Sequence, residues 1–173
     1  LARLGARATF FVIAPLAAAR PDIVRDIGDG GHEIGLHCWS HERHSRSARH
    51  VVEDETDRAL AVLAGLGVAP RLWRTPWGDT AEWSADVAAA RDLTLVRWTA
   101  DTHDWRGDAA EEMLDAIRDD LAPGGSVLMH DGLGPGARRA DCLQTLRLLA
   151  PLAREARVQG LALDVMGSPV GTA

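Results

Sequence analysis

The sequence predicts an α/β fold, with parallel strands covered by helices. Two observations lead there. Short β-branched or aromatic runs alternate with segments of helical period along the chain. Each cluster of chemically capable side chains also directly follows a predicted strand, as at the strand ends of α/β barrels. At 173 residues the length fits one domain, residues 1–173.

The elements follow in order. Leu1–Arg7 reads as the last turn of a helix with a glycine stop. Ala8–Ile13, rich in Thr, Phe, Val and Ile, is a buried strand. Pro21–Ile27 is a short helix with proline in its first turn, ended by Gly30 and Gly31. Glu33–Leu36 is a brief strand. Val51–Leu66 is a helix, because Val52, Ala59, Leu60, Leu63 and Leu66 fall near one face before Gly67. Leu72–Arg74 is a strand. Thr80 is expected to cap a helix over Ala81–Arg91, and Thr94–Thr99 to form a strand. Asp108 is expected to cap a helix from Ala109 to Leu121, which Pro123-Gly124-Gly125 ends. Ser126–Met129 is a strand, Gly132–Gly136 a flexible loop, Ala140–Arg157 a helix and Leu161–Val165 a last strand.

Composition narrows the function. The net charge of −6 gives no basic footprint for nucleic acid. No apolar run is long enough for a membrane segment, and no signal peptide or anchor is visible. Cys38 and Cys142 are too few for a disulfide framework. Cys38 is either a soft metal ligand or a small buried residue.

Four stretches carry the chemistry. His37 and His41 in Gly31-His-Glu-Ile-Gly-Leu-His-Cys-Trp-Ser-His stand four apart, so a helical turn can aim both imidazoles at one spot. The others are Arg74-Thr-Pro76-Trp77-Gly78, Asp101-Thr-His-Asp104-Trp105 and Leu128-Met-His130-Asp131. His32, His44, His50 and His103 read as structural or solvent-facing.

These stretches, in this order, resemble motifs two to five of the polysaccharide deacetylase family, the NodB-homology carbohydrate esterases of family 4. The resemblance covers nearly the whole chain; even Gly5-Ala-Arg-Ala-Thr-Phe-Phe-Val looks like the family's second strand. It implies a distorted (β/α) barrel of the NodB-homology type, with the first strand missing from the N-terminus of this chain. It also implies a metal-dependent hydrolase that removes N- or O-acetyl groups from an acetylated oligo- or polysaccharide. The cofactor would be a divalent metal, zinc foremost, with cobalt and other ions as alternatives.

By resemblance His37 and His41 are the metal ligands, and Arg74 holds the catalytic base. The Trp77 backbone N–H, after Pro76, donates to the oxyanion. Trp105 walls the sugar groove and Leu128 meets the acetyl methyl. His130 is the catalytic acid, as a histidine suits proton delivery near pH 7. A carboxylate from Asp101, Asp104 or Asp108 orients it, with Asp104 taken as the catalytic one.

Departures matter as well. The family's first motif, Thr-Phe-Asp-Asp-Gly, which supplies the base and a third ligand, is absent, and Asp119-Asp120 near a helix end does not replace it. Position 38 is Cys where relatives favour a hydroxyl, and position 36 is Leu where Asn is usual. Residues 1–173 alone are therefore expected to be inactive. Two other readings stand beside this one: a relative that hydrolyses other non-peptide C–N bonds, and a non-catalytic carbohydrate-binding protein that begins at Leu1.

Overall fold

A computed structural model describes residues 1–167. Every strand pairing is parallel, as the alternating pattern predicts. The chain divides into two compact units, residues 8–97 and residues 1–7 with the chain from 98 onward.

In the 8–97 unit, β1 (Thr9–Ile13), β2 (Glu33–Cys38), β3 (Leu72–Trp73) and β4 (Thr94–Leu95) form one sheet in that order. Helices lie between the strands: α1 (Ala14–Ala19), α2 (Pro21–Asp29), α3 (Arg49–Gly65) and α4 (Ser84–Ala89). The sequence pattern does not mark α1. It follows β1 without a loop, and Pro15 sits in its first turn, where a missing N–H breaks no helix bond. On α3, Val52, Thr56, Ala59 and Leu63 are buried, one stripe at helical period. Thr56 tolerates burial because its hydroxyl donates to the Val52 carbonyl at 2.7 Å. Leu36, Leu63, Trp73 and Val87 form the heart of this core.

Helix α4 is shorter than expected, and Thr80 does not cap it. The Ser84 hydroxyl accepts the Ala81 N–H at 2.9 Å, which holds residues 81–83 in a turn and delays the helix to Ser84. The strand expected over Thr94–Thr99 is also divided. Leu95 closes the sheet beside Trp73, and the next pairing begins only at Ala100.

In the other unit, Gly5 in the left-handed region (φ 63°) closes a 3-10 turn over Ala2–Leu4, which matches the expected glycine stop. β5 (Ala100–Asp101) pairs with β6 (Val127–Leu128). α5 (Ala110–Ile117) and α6 (Leu143–Val158) pack through Met113, Leu114, Ile117, Leu148 and Leu152. Asp108 is not the cap of α5. Instead the Glu112 carboxylate reaches back to the Ala109 N–H at 2.9 Å, and Gln144 accepts the Ala110 N–H at 3.2 Å. Leu161–Val165 is not a strand. Arg7 holds it with a backbone bond to the Leu163 carbonyl (3.0 Å) and an ion pair to Asp164 (2.7 Å), whereas a parallel strand needs a ladder. No helix among the described residues is long and apolar enough to cross a membrane.

Candidate active site

Parallel pairing sets the first constellation. Leu36 of β2 lies opposite Trp73 of β3, so the next residues, His37 near the end of β2 and Arg74 just past β3, stand side by side. The Arg74 N–H donates to the Leu36 carbonyl at 3.0 Å. The Arg74 carbonyl accepts from His37 Nδ1 at 2.5 Å. A carbonyl can only accept, so the His37 proton sits on Nδ1 and the lone pair is on Nε2. That is the tautomer an imidazole needs to bind a metal through Nε2. The His37 and His41 rings stand 5.0 Å apart between centroids, and His41 rests edge-on against Trp77 at 5.1 Å. The spacing of four therefore does bring the two imidazoles together.

Trp77 adopts φ 62°, ψ 6°, rare for a residue with a side chain, and the residue is 43% exposed. Pro76 before it is buried. The Arg43 guanidinium lies 4.6 Å over the indole, and Arg74 lies 4.4 Å over the Phe11 ring. Two anchors hold the histidine loop. The Ser40 hydroxyl bonds both Glu55 carboxylate oxygens on α3, at 2.7 and 2.6 Å. Ser45 donates from its N–H to Asp79 at 2.7 Å. His44 is structural, as expected: it is buried, 3.0 Å from the Ser84 hydroxyl and stacked on Trp83. Burial holds its pKa below the ordinary histidine value.

The two histidines fit a divalent cation as part of a ligand set. Among the described residues no group of three or more His, Cys, Asp and Glu gathers to complete it. Cys38 is buried, as a small apolar residue would be. Burial, with the Glu55 charge adding to it, pushes its thiol up to about 12.

The second constellation follows the same rule. Asp101 lies opposite Leu128, and both strands run on into loops that carry Asp104 and His130. The buried Asp104 carboxylate accepts His130 Nδ1 at 2.7 Å on one oxygen and the His130 N–H at 2.8 Å on the other. Burial would push this carboxyl up. The ring and backbone bonds from His130 outweigh burial, with the His130 charge and the Thr145 hydroxyl, and hold it at about 2. Of the three candidate carboxylates, Asp104 is the one that orients His130. Asp101 instead accepts the His103 N–H at 2.8 Å. The His130 side chain is 43% exposed. Leu128 is buried and its carbonyl accepts the Thr102 hydroxyl at 2.7 Å. Trp105 is half-buried, with the Arg106 guanidinium 5.3 Å over its ring.

Sequence reasoning misses Arg139 and Thr145, which both bond Asp104 at 2.8 Å. Thr145 left a trace, as a hydroxyl on the buried stripe of α6. Nothing in Arg138-Arg139 tells which arginine turns inward.

A model of the polysaccharide deacetylase family matches residues 1–96. The chain is 33% identical over 138 residues to the chitooligosaccharide deacetylase of Bradyrhizobium sp. (strain ANU 289), covering 77% of this chain and 62% of that protein. It is 32% identical over 152 residues to the peptidoglycan-N-acetylglucosamine deacetylase of Bacillus cereus, covering 84% of this chain and 52% of that protein. It thus spans little more than half to three fifths of these curated relatives. The family 4 carbohydrate esterase from Streptomyces lividans, solved in complex with acetate, superposes with a TM-score of 0.83 at 28% identity, covering 93% of this chain and 79% of that one. The motifs, the fold and these matches agree: the chain belongs to the polysaccharide deacetylase family.

Proposed function

We propose that the chain is part of a metal-dependent hydrolase that removes acetyl groups from an acetylated carbohydrate, the 8–97 unit contributing metal-binding histidines and the other unit a proton donor. One observation carries the reading. Two histidines near the ends of parallel strands each donate from Nδ1 to a fixed acceptor, which puts the lone pair of each neutral ring on Nε2. For His37 the acceptor is a neutral carbonyl, which suits a ligand. For His130 it is a buried carboxylate, which suits a histidine that must take up and release charge. The similar proteins named above act on chitooligosaccharide and peptidoglycan N-acetylglucosamine.

His37 and His41 would hold the divalent ion, with zinc the first choice for imidazole ligands and a further ligand coming from elsewhere. When bound, such an ion polarises the acetyl carbonyl and acidifies water. The chain's own groups do the rest. His130 Nε2 delivers a proton to the departing amine or alcohol while Asp104 keeps the ring in one tautomer. The Trp77 N–H, fixed in its rigid turn, faces the oxyanion. Arg74 presents a fork to the carboxylate base. Trp105 flanks the sugar, and Leu128 bounds the acetyl methyl.

The test is acetate release from N-acetylated chitin oligosaccharides by the complete natural protein carrying these residues, with and without a chelator. Chelator-sensitive release supports the reading. Release unaffected by the chelator, or binding without release, overturns it.

A further inference from the structure

Arg139 lies outside every motif that led to the site, yet it touches both members of the His130–Asp104 pair. Its side chain is only 5% exposed. One terminal nitrogen donates to Asp104 Oδ2 at 2.8 Å and also to the Thr145 hydroxyl. The other donates to the His130 carbonyl and to the Gly132 carbonyl, each at 2.9 Å. Thr145 passes the contact on, since its hydroxyl donates to the same Asp104 oxygen at 2.8 Å.

The distribution of donors on the carboxylate is asymmetric. Oδ2 accepts three: the His130 N–H, Arg139 and Thr145. Oδ1 is left facing His130 Nδ1. A carboxylate filled on one oxygen cannot rotate or exchange oxygens without losing several charge-assisted bonds at once. The same guanidinium grips the backbone carbonyl of His130, so it fixes the carboxylate and the histidine main chain relative to each other. A planar fork suits this task and an ammonium does not.

We propose that Arg139 is a positioning residue for the acid of the reaction. It locks Asp104 and the His130 backbone together, so that the imidazole keeps its proton on Nδ1 and presents Nε2 in one orientation. The inference rests on His130 being the acid of the proposed hydrolase, but the geometry it predicts can be read without turnover.

The experiment uses the complete protein labelled with 15N-histidine, as wild type, Arg139→Met and Arg139→Lys. The ring nitrogens of neutral His130 report its tautomer directly. Wild type should show a single Nδ1–H form. Arg139→Met should show a mixture, with kcat lowered on the order of 10²-fold, the scale of a misplaced catalytic group, and KM little changed. Millimolar guanidinium should restore part of kcat to Arg139→Met. Arg139→Lys keeps the charge but cannot span the four acceptors, so it should fall between the two. If Arg139→Met does not fold, the lysine variant decides by the same spectrum. A pure Nδ1–H form in the folded variants, or a loss seen in KM alone, overturns the proposal. Failure of the functional reading looks different: wild type would release no acetate while the His130 spectrum still depended on Arg139.

Discussion

The Phe11 ring lies so close across Gly35 that a Cβ at residue 35 would stand 2.6 Å from two ring carbons and 3.1 Å from the Leu72 carbonyl. The same ring carries the Arg74 guanidinium at 4.4 Å. A glycine in the middle of β2 thus makes room for a ring against which Arg74 rests. Gly35→Ala should push Phe11 aside and destabilise the protein by about 1–3 kcal/mol, the usual cost of overpacking. Urea unfolding measures it. Phe11→Ala in the same chain should recover part of the loss. If the two changes are simply additive, the contact does not matter.

His41→Ala and His130→Ala should separate by metal content. The first removes one of two clustered imidazoles and should lose the metal together with activity. The second leaves the His37–His41 pair intact, so metal should stay while kcat falls roughly 10² to 10⁴-fold, the range for a lost proton donor. Elemental analysis beside acetate release decides. Equal metal loss in both variants would make His130 a ligand.

Acid should weaken the protein partly through Asp104. Its carboxyl sits at about 2 in the folded chain, below the ~3.9 of an unfolded aspartate. A depressed carboxyl adds stability above the unfolded value and loses it as pH falls toward the folded one. The window is therefore from about pH 5 down to about pH 2, and the loss is on the order of 2 kcal/mol. In urea unfolding at pH 6 and pH 3, wild type should lose more stability than Asp104→Asn does. Equal losses would refute the assignment.

Ser40 ties the histidine loop to α3 through Glu55. Ser40→Ala should lower metal affinity by about 10 to 100-fold, the range for partners that orient ligands, with Ser40→Thr close to wild type. Competition with a chromogenic chelator reads this directly. Unchanged affinity in Ser40→Ala would show that the loop holds itself.

The site was legible in the sequence wherever a local pattern and the chemistry coincided. Phe10-Phe11-Val12 marks β1, and the stripe from Val52 to Leu63 marks α3. His130 falls just after β6 as expected, whereas β2 runs two residues past the expected end and takes in His37, with only His41 beyond it. Local signals failed where a distant group intervened. Thr80 and Asp108 look like caps, but Ser84 and Glu112 bond those turns instead. Leu161–Val165 has the composition of a strand without a ladder to join. Arg139 depends on the path of a glycine-rich loop, which residue types do not encode.

The protonated state of Cys38 makes it a silent clock. A buried thiol held at about 12, one residue after His37 in the chain, does not meet reagents that need a thiolate. With the half-buried Cys142 replaced by serine, labelling of Cys38 by a thiol reagent would proceed only when the 8–97 unit opens. The rate would then measure how often the histidine loop departs from its native place, using a residue the chain already carries.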